Sequence, residues 1–67
     1  MSNFTAEELI EAKNSLESTL SKCEKAILKL KENSSQHTLM IRRIKALHIA
    51  LRLITLELQQ KSGIAGN

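Results

Sequence analysis

The 67-residue chain has no proline, tryptophan, tyrosine or aspartate, and both of its glycines, Gly63 and Gly66, fall among the last five residues. With no strong turn breaker in its body, the chain reads as helix throughout. Phe4 is its only aromatic residue, which leaves little on which nucleic-acid bases could stack. A single cysteine, Cys23, excludes an intramolecular disulfide and suits a reducing cytosol, and no Cys or His stands near it at zinc-ligand spacing. Long apolar runs are also missing: the best, ALHIALRLITL from Ala46 to Leu56, is broken by His48 and Arg52. The opening MSNFTAEEL has neither a basic n-region nor an apolar h-region, so a non-secreted, cytoplasmic protein is expected and the sequons at Asn3 and Asn33 carry no meaning.

A chain of this length buries little of its unfolded surface and commonly relies on disulfides, metals or oligomerisation. The residues for the first two are lacking, which leaves association with other chains.

Two helices can be read from what is present. Thr5 and Glu8 form a capping-box pattern, and Phe4 and Leu9 stand where a hydrophobic staple would place them, so a first helix is predicted over about 6–32. Leu9, Lys13, Leu16, Leu20, Cys23, Ile27 and Leu30 follow one another at alternating four and three spacing, giving one narrow seam with Lys13 its sole polar member. A turn at 33–35 follows, with Asn33 suited to the left-handed conformation and Ser34 or Ser35 to capping the next helix. The second helix is predicted over about 36–61, with Gly63 after its end and Ile64 folded back on Leu58; residues 1–4 and 65–67 are expected to fray. So short a turn forces an antiparallel hairpin and a single all-α domain over 1–67.

The second helix is apolar on more of its circumference than one neighbour can cover. Met40, Ile44, Leu47, Leu51, Ile54 and Leu58 form a seam matching the first helix. About 100° away lies a second register: Leu39, Arg43, Ala46, Ala50, Leu53 and Glu57. Another copy of the same helix, antiparallel about Ala50, would set Arg43 against the partner's Glu57, whereas a parallel copy would oppose Arg43 to itself. Charge agrees: residues 22–45 hold seven cations against two glutamates, and the remainder three against five. Antiparallel association places each basic turn beside an acidic open end. The expectation is a homodimer forming a four-helix bundle, with room for a further, unidentified protein partner.

No chemistry converges. His37 and His48 lie eleven residues apart on one helix, about 16 Å along its axis, and cannot share a metal within one chain. His37 reads as a neighbour of the helix cap, His48 as a side chain on the solvated face, and Cys23 as a small hydrophobe of the seam. The hydroxyls of Ser34 and Ser35 near His37 lack an acid to orient the ring and serve better as caps. Neither enzyme activity nor a cofactor is expected. The basic turn end, with Lys22, Lys25, Lys29, Arg42 and Lys45, is the one surface suited to nucleic-acid phosphates; the alternative is a solvated lysine-rich face in which Lys29 and Lys31 complement the dipole of the first helix. Nucleic acid therefore ranks behind self-association. A membrane surface ranks last, because the cations of the second helix are interleaved with its apolar residues.

Overall fold

A computed structural model of the chain describes residues 4–63, with the side chains of Ser62 and Gly63 outside the description. Two helices, α1 (Ala6–Ile27) and α2 (Ser35–Gly63), pack against each other as a hairpin. The capping box at the start of α1 is closed in both directions. The Thr5 N–H donates to Glu8 Oε1 at 3.0 Å, and the Glu8 N–H donates to Thr5 Oγ1 at 3.0 Å. Two backbone donors that a helix start leaves without partners are thereby satisfied.

The end of α1 differs from expectation. The helix stops at Ile27, not near residue 32, and a seven-residue connection, 28–34, follows. Its first part is tight: the Lys29 N–H donates to the Ala26 carbonyl at 3.0 Å and the Leu30 N–H to the Ile27 carbonyl at 3.1 Å, three residues back instead of four. The sequence Leu28-Lys29-Leu30-Lys31 alternates with period two, so a continued helix could not keep both leucines on the seam. The tight turn keeps Leu30 half-buried and leaves Leu28 84% exposed. Lys29 and Lys31 consequently lie outside α1, and Lys25 is the cation in its last turn.

The connection closes as its residues predict. Asn33 takes a left-handed φ of 68°, and Ser34 Oγ accepts from the His37 N–H at 3.1 Å, capping α2. At its far end α2 continues through Gly63, past the expected stop. The packing of Ile64 on Leu58 and the fraying of residues 1–3 and 65–67 lie outside the described residues.

Both seams are where the spacing put them. Leu16, Leu20, Cys23 and Ile27 of α1 and Met40, Ile44, Leu47, Leu51, Ile54 and Leu58 of α2 are half-buried, and His37 extends the α2 seam by one position. Leu9, at the staple, is the one fully buried residue among those described, 7% exposed. The molecule measures 47 × 20 × 16 Å. That is one layer of two helices, whereas a core closed on all sides requires two packed layers.

Candidate interaction surface

A flat hairpin has two faces and two edges, and helical geometry assigns residues to each. At roughly 100° per residue in a right-handed helix, Ala12 and Ala26 of α1 flank its seam on the side where Leu39, Ala46, Ala50 and Leu53 flank that of α2. The opposite side carries Lys13, Glu17 and Glu24 of α1 with His48 and Arg52 of α2. Two observations fix the assignment independently. His48 Nε2 lies 3.8 Å from Glu24 Oε2 across the second face, a charge pair only when the imidazole is protonated. On the first face, a groove of about 360 Å³ at the open end is lined by Phe4, Glu8, Leu9, Ala12 and Ile54.

The first face is thus apolar and the second charged, although Ile10 and Ile41 are also exposed on the second. Lys13 and Glu17, 3.8 Å apart one turn along α1, complete the ion pairs among the described residues. On the apolar face Thr19 turns its hydroxyl back to donate to the Ser15 carbonyl at 3.0 Å, and so presents mainly its methyl group.

The six residues of the second α2 register separate into two sets. Leu39 (49% exposed), Arg43, Ala46 and Leu53 (60% exposed) stand open, while Ala50 and Glu57 are half-buried. Beyond them, on the edge of α2 turned away from α1, Ile49 and Leu56 are 53% and 42% exposed. In the sequence these two already widen the apolar arc of the second helix beyond the register built on Ala50, and the three-four spacing Ala46, Ile49, Leu53, Leu56 marks them. Ala12 and Ala26 gave no such signal, because alanine beside a leucine seam reads as filler.

The five cations proposed for polyanion contact are all exposed but do not converge. Lys22 and Lys25 project from the outer edge of α1, Arg42 and Lys45 from the outer edge of α2, and Lys29 lies in the connection. The layer itself separates them. Among the described residues no three His, Cys or Glu side chains cluster as metal ligands, and no helix is long and apolar enough to cross a membrane.

The fold class is an all-α helical hairpin. Comparison with protein-family models, with curated proteins and with solved structures finds no match for the chain.

Proposed function

We propose that the protein is a cytosolic, non-enzymatic interaction module that works as a homodimer, two hairpins stacking through their apolar faces into an antiparallel four-helix bundle. The carrying observation is that Leu9 alone is fully buried among the described residues while Leu39 and Leu53 stand open on one face. The surface area agrees. This 7.5 kDa chain exposes 5523 Å². A compact monomer of that mass exposes roughly 4,200 Å². The excess, about 1,300 Å², is more than the roughly 800 Å² that each partner buries in a standard interface.

Antiparallel stacking about Ala50 lays each hairpin's basic turn end beside the partner's open end, and pairs Arg43 with Glu57. The small side chains of Ala12, Ala26, Ala46 and Ala50 let the backbones approach. Polyanion binding ranks second because its five cations share no common face. The deciding experiment is a mass determination by sedimentation equilibrium at two concentrations. The expected result is twice the chain mass at tens of micromolar; a helical species with the mass of one chain sinks the dimer.

A further inference from the structure

We infer that the outer edge of α2 is a second docking surface, shaped for an acidic amphipathic helix of another protein. The strip consists of Ile49 and Leu56 with Arg42 and Lys45, bordered by Arg52 on the side of the charged face, all exposed. It runs about 21 Å along the helix, the length of four turns. No carboxylate interrupts it, because the only acid of α2 is Glu57, which is half-buried on the apolar face.

This charge pattern selects the occupant. A second copy is disfavoured, since the same three cations would meet each other and the outer face of α1, with Glu7, Glu11, Asn14 and Ser18, has no apolar seam to offer. A bilayer is disfavoured as well: Arg42 and Lys45 project within about 40° of Ile49 and Leu56, so inserting those two would carry both charges toward the hydrocarbon. A helix whose leucine seam is flanked by glutamates satisfies both features at once, covering the aliphatic side chains and pairing the cations. The inference rests on the proposed dimer in one respect: with α2 antiparallel to its copy about Ala50, the two edges lie side by side and make a groove with Ile49 of each chain near its centre.

The test uses the full chain and a labelled synthetic 18-residue helical peptide with one leucine seam flanked by glutamates, followed by fluorescence anisotropy. Saturable binding is expected that weakens with added salt, is absent for the same peptide with lysines in place of glutamates, and falls at least tenfold in Ile49→Ser/Leu56→Ser and in Arg42→Glu/Lys45→Glu/Arg52→Glu. Circular dichroism and mass, measured on each variant, separate this surface from the dimer. Peptide binding lost in Ile49→Ser/Leu56→Ser while helicity and dimer mass persist supports it, and the same loss in a monomeric protein supports the edge while removing the dimer. No binding of the glutamate peptide, equal binding of its lysine twin, or binding to vesicles of anionic phospholipid in preference to the peptide overturns it.

Discussion

The two helices share a seam and little else. α1 carries five glutamates against three lysines and, Ile10 apart, is polar on the side away from its partner; α2 carries five cations against one glutamate and is apolar well beyond its seam. A helix with one apolar stripe needs one neighbour, and α1 has it in α2. A helix apolar over most of its circumference is built to be surrounded, yet the hairpin covers only one side of α2. The difference places most of the open apolar surface of the fold on α2.

The sharpest way to break that contrast is at the seam. Leu9→Ala should cost about 2–5 kcal/mol, the range for a buried leucine. Leu47→Ala should cost about 1–1.5 kcal/mol if α2 is half-covered by α1 alone, and approach the larger range if a second hairpin covers its other flank. Urea midpoints measured above and below the association range distinguish the two. A matched pair of outward substitutions comes next. Ser18→Glu on α1 should change stability by no more than about 0.5 kcal/mol. Leu53→Glu on α2 should weaken association roughly a hundredfold, about 3 kcal/mol. Equal effects in sedimentation would erase the distinction between the helices.

Charge probes the orientation. Arg43→Glu and Glu57→Arg should each weaken the antiparallel dimer, and the double swap should restore it with a coupling of about 0.5–3 kcal/mol. A parallel dimer shows no coupling, because residues 43 and 57 never meet. The smallest effects lie at the caps: Thr5→Ala removes a reciprocal box and Ser34→Ala a single bond, so both should lower stability by about 1 kcal/mol, the former more. Thermal melts that rank them in reverse would show that α2 depends on its start more than α1 does.

What was legible in the sequence was what is decided locally. Thr5 with Glu8, Asn33 and Ser34 act through atoms a few residues apart, and the two seams follow from spacing alone. The end of α1 was not legible, because residues 28–32 contain no Gly, Asn or Pro and their helix propensity is good; the alternation of leucine and lysine was the only local hint. On the candidate surface, the register through Ala50 and Glu57 was drawn by periodicity, whereas exposure depends on how far α1 wraps around α2. Packing shades those two residues and leaves Leu39 and Leu53 of the same register open, a distinction that spacing alone does not contain.

The irregular connection gives the chain a defined point of failure. Lys29 and Lys31 are exposed in the connection, outside both helices and held only by single-turn backbone bonds, which makes the bonds after them the natural targets of trypsin. One cut there leaves every seam contact in place but turns an intramolecular pairing into a bimolecular one, so that α1 and α2 lose the millimolar effective concentration a short tether provides. Dilution after nicking would then release α1, the helix with a single neighbour, and leave α2 to whatever else it can hold.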